Sequence, residues 1–353
     1  MLDNGRESIV IIDASMMSRS VIETCRKNED TAEEGYQLWK FRFIERIFWY
    51  LVEFKPVELV IAIDSPPYWR KDIFKYYKAH RKVDRERDER TSDDWFKYEE
   101  YFKIMEEFFM LLKKSFPFKF ISYPRAEADD IAGVLCGYEK LYEYNKILIT
   151  TDQDFLQLQM KPNVYLYNPI KRVFMNSDNP KTELLLKICQ GDDGDFIPSI
   201  QNVEKYKDTF LDFCVEELQI SDSRKGVEVL LEEDEEKFYD ATLNFRRKYG
   251  LKSSRSMKIK KTKCLDLIST HTLNEFLEED GNEQIKNKFK RNNKLINLSV
   301  QPKDIKNGII KEYNMPLVVG KIKLYEFILK NRFQGLSENI SVFQDSLKLL
   351  KKV

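Results

Sequence analysis

Histidine is nearly missing from the sequence: 353 residues include only His80 and His271. Cysteine is sparse too. Cys25, Cys136, Cys189, Cys214 and Cys264 stand far apart, odd in number, with no CxxC pair. That pattern excludes a disulfide framework, and so few nitrogen and sulfur donors exclude a Cys/His zinc site. It fits a reducing, cytoplasmic setting, with the thiols serving as small buried apolar groups. No apolar run reaches the roughly 18 residues of a membrane span. The polar start, MLDNGRES, has no secretion-signal core. No membrane partner is expected. An excess of charge is also absent, because 59 Lys+Arg balance 59 Asp+Glu. A general basic coat for nucleic acid is thereby excluded, and a polyanion would have to meet local patches. There is no internal repeat and no low-complexity tract.

What is present suffices for a folded chain. Hydrophobic residues make up 42% and charged residues 33%, which is too apolar for a disordered protein. The length allows about two domains. The first 200 residues alternate between two textures. Short β-branched runs lie at 8–13 (SIVIID), 58–64 (ELVIAID), 119–123 (KFISY), 146–152 (KILITTD) and 164–167. Helical spacing of apolar residues covers 36–54, 94–116, 126–144 and 181–189, the last stopped by Gly191, a natural left-handed end. Strands separated by helices predict an α/β fold: a mostly parallel central sheet with helices on both faces. Beyond residue 200 strand signals fade and short helices are expected. Residues 228–236 (EVLLEEDEE) are strongly acidic, and 252–263 (KSSRSMKIKKTK) hold six basic residues and no acid. The soft boundary near 200 gives a core at 1–200 and a helical region at 191–353.

Carboxylates mark the strand ends. Three runs finish at Asp13, Asp64 and Asp152. In open α/β sheets ligands bind outside the carboxyl ends of the strands. Helix capping is the ordinary alternative for each acid taken singly. Glu127, Asp129 and Asp130 stand in RAEADD at a helix start, Asp154 follows Asp152 by two, and Asp192 and Asp195 lie in GDDGDFIPSI. Nine such acids in one crevice would repel one another unless cations lay between them. All-oxygen ligation selects Mg²⁺, with Mn²⁺ as substitute. The number of acids suits two ions, the arrangement used for in-line phosphoryl displacement.

The segment after Asp64, SPPYWRKDIFKYYKAHRK, carries six Lys/Arg against Asp72. Lys71, Lys75, Lys78 and Lys82 have the spacing of one helix face, with Arg70, Phe74, Tyr77 and Arg81 on an adjacent face. Cations interleaved with Tyr68, Trp69, Tyr76 and Tyr77 suit a nucleic-acid strand, whose phosphates and bases they could meet. A solvated amphipathic helix is the plainer reading. Residues 83–90 (VDRERDER) read as a mobile, mixed-charge stretch, and the two histidines as isolated and not ligands.

Taken in order, IID (Asp13), IAIDS (Asp64), YWRKDIFKYYKAHR, EADD (127–130), TTDQDF (Asp152, Asp154) and GDDGDFIPSI resemble the flap endonuclease / 5′→3′ exonuclease family. Within it the nearest likeness is to the T-even phage branch, whose members act as ribonucleases H on RNA–DNA hybrids. The resemblance covers about residues 8–200 and returns loosely in RSMKIKKTK and RNNKLINLSVQPKDI. It implies a PIN-like nuclease core. Asp13, Asp64, Glu127, Asp129 and Asp152 would surround a first metal ion, and Asp154, Asp192 and Asp195 a second, with Asp130 an accessory acid. Lys78 and Arg81 would contact the scissile phosphate, beside Asp129 and Asp152 as the acids most needed for catalysis. Residues 65–94 would form an arch passed by a 5′ single strand, whose binding face would include Arg70, Lys71, Lys75 and Tyr77. Gly191 would open a helix-three-turn-helix motif on duplex DNA. Its usual basic half is displaced by an insertion at about 202–252, so Arg255, Lys258, Lys260 and Lys261 would supply the grip. Phe196 stands where the family usually has Asn. The implied activity is Mg²⁺-dependent cleavage at 5′ flaps, 5′ ends and RNA–DNA hybrids, removing primers during lagging-strand replication. The resemblance also implies a monomer working with a sliding clamp and a single-strand-binding protein, in the host cytoplasm if phage-encoded.

Two other readings compete. TTDQDF is a DxD after an apolar strand, as in aspartyl phosphotransferases, where the first Asp is the nucleophile. Leu156 stands at that pattern's Thr/Val position, and the motif order differs. A non-catalytic, structure-specific DNA-binding protein on the same fold is the other, and the complete acid set speaks against it.

Overall fold

Ile9, Val10, Ile11 and Ile12 are all buried, as a strand needs when both faces are covered. They form the middle of β1 (Ser8–Asp13). The computed structural model describes residues 5–200, 206–250, 264–266, 268, 273–279, 281–317 and 323–350. Around β1 lie β2 (Glu58–Ala62), β3 (Lys119–Ile121), β4 (Asn145–Ile149), β5 (Val164–Asn168) and β6 (Val173–Met175) in the order β3-β2-β1-β4-β5-β6. All pairings are parallel except the hairpin of β5 with β6. The expected parallel sheet is therefore present. The short antiparallel strand β6 at its edge left no signal in the sequence.

The chain divides into two units. The first comprises Met1–Trp69, Asp94–Pro180 and Leu298–Val353 and holds the sheet. Its helices include α1 (Ala14–Asn28), α2 (Ala32–Phe54), α5 (Tyr98–Ser115) and α6 (Ala128–Cys136). Aromatic side chains fill its core. Trp39 meets Tyr101 and Phe108 edge-on, and Phe48 stacks on Phe343 with ring centroids 4.8 Å apart. One expectation needs correction here. The helix predicted over 126–144 ends at Cys136, where Gly137 turns its N–H to Gly133, because the chain must come back to start β4 at Asn145. The two compact units do not follow a linear split near 200, since Leu298–Val353 groups with the sheet.

The second unit comprises Arg70–Asp93 and Lys181–Asn297. It holds α3 (Arg70–Ile73), α4 (His80–Thr91), nearly all of α7 (Pro180–Gln190), α8 (Asp208–Glu216), α9 (Arg224–Glu233) and α10 (Glu235–Tyr249). The helices Leu273–Glu278 and Glu283–Ile296 also belong to it. Residues 83–90, expected to be mobile, are helical within α4. Asp84 accepts from Nε and Nη2 of Arg246, each at 2.6 Å. The carbonyl of Gly250 accepts from Arg87 at 3.2 Å. Charges that look merely solvated in the sequence therefore tie α4 to α10.

Candidate functional site

The parallel register sets one edge of the sheet. Asp13 lies opposite Ala62, and Ile12 opposite both Ile61 and Ile149. Asp64 lies two residues past the end of β2, and Asp152 three past the end of β4. The carboxyl ends of adjacent strands thus carry Asp13, Asp64 and Asp152 to the same edge. The stretch after β2 runs along the one after β3. Ile63 donates to Ile121, Ser65 to Ala126 and Trp69 to Arg125. This brings Asp64 against the start of α6, where it accepts the Ala128 N–H at 2.8 Å.

At that start Glu127 and Asp130 form a reciprocal capping box. Both are buried. One Asp130 oxygen accepts from the Glu127 backbone and from the Trp69 indole, each at 3.0 Å. Asp130 is thus a buried anchor that fixes Glu127 and Asp129 at the edge. The other acids make local bonds as well. Asp13 caps α1 through Met16 N at 2.9 Å, and Asp152 accepts Asp154 N at 2.8 Å. The capping roles that competed with ligation in the sequence are real ones. Among the described residues no three Asp, Glu, His or Cys side chains are gathered as a ready ion cage. The positions meet along the sheet edge, while the carboxylates of Asp13, Asp64, Glu127, Asp130 and Asp152 turn to nearby N–H groups. As a donor set these oxygens fit a hard divalent cation, which accepts carboxylates and keeps waters of its own.

The nine acids do not belong to one unit. Asp13, Asp64, Glu127, Asp129, Asp130, Asp152 and Asp154 are in the sheet unit, and Asp192 and Asp195 in the helical one. There α7 ends at Gln190 and Gly191 takes φ +70, as its left-handed role predicts. Asp192 accepts the Gly194 N–H at 2.8 Å and pairs with Lys187 at 2.9 Å. Asp195 meets Arg81 at 2.9 Å, Lys78 at 3.6 Å and the Tyr77 hydroxyl at 3.1 Å. Burial alone would raise the Asp195 carboxyl pKa. Lys78, Arg81 and the Tyr77 hydrogen bond outweigh it and hold the group below the usual carboxylate range.

The arch segment departs from expectation. Lys71, Lys75, Lys78 and Lys82 do not share one continuous helix face: α3 spans only four residues, and Lys78 adopts φ 54 between it and α4. Lys71, Lys75 and Lys82 are exposed, Lys75 beside Glu236. Arg70, expected on the strand-binding face, is buried and donates to the Leu295 carbonyl at 2.8 Å. Trp69, Tyr76 and Tyr77 are buried as well, so their rings serve packing. Arg255, Lys258, Lys260, Lys261 and His271 lie outside the described residues.

Phe196, the departure from the family pattern, sits at φ 66, a conformation that Asn tolerates better than Phe. Its ring meets Tyr239 at 4.9 Å and His80 at 5.3 Å, so packing replaces the polar contact expected of Asn. Sequence reasoning missed Asn292 altogether. It is buried and donates to the carbonyls of Ile188 at 3.0 Å and Pro198 at 2.7 Å. It thereby clamps both sides of the 191–197 turn. The one hint was its place in RNNKLINLS.

A parallel sheet with carboxylates along its carboxyl edge and a helical partner unit places the chain in a defined class of α/β fold. The description "5′-3′ exonuclease, N-terminal resolvase-like domain" matches residues 8–184, half of the chain. The chain belongs to the 5′-3′ exonuclease family. It is 30% identical over 198 residues to the ribonuclease H of Enterobacteria phage T4, an alignment covering 53% of this chain and 63% of that protein. The chain therefore spans under two thirds of the length of the curated relative it matches. In fold it resembles the T5 D15 protein co-crystallised with metal ions, with a TM-score of 0.52 at 13% identity, over 98% of this chain and 100% of that one. It also resembles a complex of the bacteriophage T5 D15 flap endonuclease with DNA and metal ions, with a TM-score of 0.50 at 16% identity, over 87% and 97%.

Proposed function

We propose that the chain is a Mg²⁺-dependent 5′–3′ nuclease of the exonuclease and flap-endonuclease type. It hydrolyses phosphodiesters near the 5′ ends of DNA duplexes and RNA–DNA hybrids, and its role is the removal of RNA primers and adjoining DNA in lagging-strand replication. The observation that carries this reading is the sheet edge shared by Asp13, Asp64 and Asp152, with Glu127 and Asp129 at the adjoining helix start. Those five would hold the first ion. The expected ligands of the second are divided, Asp154 in the sheet unit and Asp192 and Asp195 in the helical one. Mg²⁺, or Mn²⁺ in its place, supplies when bound an activated water and neutralisation of phosphate charge.

The remaining chemistry falls to the chain. The capping box of Glu127 and Asp130 fixes the start of α6, and its Trp69 bond fixes the chain leaving β2. Lys78 and Arg81 steady negative charge on the attacked phosphate. Arg255, Lys258, Lys260 and Lys261 grip the duplex backbone. The products are a 5′-phosphate and a 3′-hydroxyl.

The test is cleavage of a labelled 5′-flap duplex and a 5′-RNA–DNA hybrid with Mg²⁺ and with EDTA. Wild-type protein should cut only with Mg²⁺. Asp129→Asn and Asp152→Asn should each lose at least about a hundredfold in rate, the scale of removing one major electrostatic stabiliser. Cleavage at the wild-type rate by both variants would end the reading. Neutralising Lys258 and Lys260 should flatten the salt dependence of duplex binding, by about one unit of slope for each phosphate no longer neutralised. An unchanged slope would remove that segment from the duplex interface.

A further inference from the structure

Three cationic or polar donors of the helical unit converge on one carboxylate. Arg81 Nη2 is 2.9 Å from Asp195 Oδ1, while Lys78 Nζ and the Tyr77 hydroxyl reach Oδ2 at 3.6 Å and 3.1 Å. The backbone joins in, with Lys78 N donating to the Asp195 carbonyl at 3.0 Å. A guanidinium, an ammonium and a phenol around an anion are a donor set suited to a phosphate group. We propose that Lys78, Arg81 and Tyr77 form a phosphate cradle that Asp195 fills as an internal competitor, so that substrate binding must displace an autoinhibitory carboxylate. The inference rests on the nuclease reading above and adds to it a resident rival for the substrate's phosphate.

The surroundings favour a site that exchanges anions. The Lys78 side chain is only 8% exposed and that of Asp195 17%. An ammonium so enclosed is costly without an anion beside it. Arg81 is 44% exposed on its side chain, so one flank is open to solvent and to an incoming strand. The backbone on both sides of the pairing lies in the left-handed region, at φ 54 for Lys78 and φ 66 for Phe196. Neither is glycine, so the pairing is held against local conformational preference. A phosphodiester carries the same single charge as the carboxylate and offers oxygens in more directions. Exchange of one for the other leaves the charge balance of the cradle intact. Once displaced, Asp195 still has Lys187 as a cationic neighbour.

The experiment separates this inference from the parent reading by measuring binding in EDTA, where no cleavage is expected. The probe is a fluorescent 5′-flap duplex, read by anisotropy, with inorganic phosphate as competitor. Asp195→Asn keeps the shape and removes the competing charge. It should bind the duplex roughly five- to tenfold more tightly than wild type, and inorganic phosphate should compete at a correspondingly lower concentration. In the Lys78→Met/Arg81→Gln background the same substitution should give no gain, which a double-mutant cycle reads directly. Tyr77→Phe, the milder change, should weaken duplex binding in the Asp195→Asn background more than in the wild type. Equal or weaker EDTA binding by a folded Asp195→Asn protein would overturn the proposal. If that variant fails to fold, an unchanged duplex affinity in Lys78→Met/Arg81→Gln would overturn it instead. Mg²⁺-dependent cleavage by wild type in parallel reports on the nuclease reading independently of either result.

Discussion

His80 is buried, its Nδ1 has no hydrogen-bond partner among the described residues, and its ring faces Phe196 at 5.3 Å. Burial, followed by the repulsion of Arg246, pushes its pKa down to about 4. Asp84 and Asp195 pull the other way and lose. In the unfolded chain the imidazole titrates near 6.5. Between these values the unfolded state binds the extra proton, so stability falls as pH drops from about 6.5 toward 4. His80→Phe removes that proton from the balance. Its acid limb should be flatter than that of wild type, by about 2 kcal/mol at pH 5 relative to pH 7, in urea melts of the two proteins. Parallel acid limbs would mean that His80 titrates normally in the fold. The sequence suggested that this histidine is no ligand; its neutral, packed state depends on Arg246 and Phe196, both far along the chain. The cysteines were more legible. All five are buried, as small apolar groups are.

At the scale of elements, legibility followed burial on two faces. β1, β2 and β4 read as uninterrupted β-branched runs because each strand is covered on both sides, and the acids just beyond them stand out against that background. The arch segment read wrongly for a related reason. Its lysines keep a helical spacing, but Lys78 leaves the helical conformation to give its N–H to Asp195 and its ammonium to the same residue, a tertiary bond invisible to local spacing. The turn after α7 lies between these cases. Gly191 announced its left-handed conformation, and Asn292, which clamps the same turn, did not. A Cβ at Gly191 would lie 2.4 Å from the Ile197 carbonyl oxygen and 2.5 Å from Pro198. Gly191→Ala therefore adds a clash to an unfavourable φ and should destabilise the helical unit by about 2 kcal/mol or more. Asn292→Ala leaves the Ile188 and Pro198 carbonyls without their side-chain donor and should cost a similar amount, about 2–3 kcal/mol. Combined, the two should be less than additive, since both loosen one turn. Full additivity in denaturant melts would show that Asn292 acts elsewhere.

At the scale of the whole chain, the order of residues is a poor guide to what folds with what. The sheet's acids and Asp192 and Asp195 looked like one series in the sequence and fall in different units. The last segment, Leu298–Val353, folds with the first. Phe327 meets Phe116 edge-on at 4.7 Å, Phe343 stacks on Phe48, and Phe333 lies 6.1 Å from Phe41. Tyr313 donates to Glu58 across 255 positions of sequence at 2.5 Å, and its carbonyl accepts Lys119 Nζ at 3.1 Å. Pattern reading expects short helices beyond residue 200 but has no way to name the surface that their apolar sides cover. A chain ending at residue 322 makes the consequence measurable. It keeps the helical unit whole and strips Phe327, Ile328, Phe333, Leu336 and Phe343 from the sheet unit, all of them buried. Each such side chain contributes roughly 1.5–3 kcal/mol by burial, partly offset by the ordering entropy no longer lost. The net loss approaches the roughly 5–15 kcal/mol that holds a domain together. The shortened protein should lose the cooperative urea transition of its tryptophans, which all lie in the sheet unit at positions 39, 49, 69 and 95. A tryptophan transition with the midpoint and slope of the full chain would mean that the sheet holds itself together without these helices, and that a split near residue 200 describes the protein better than the two interleaved units do.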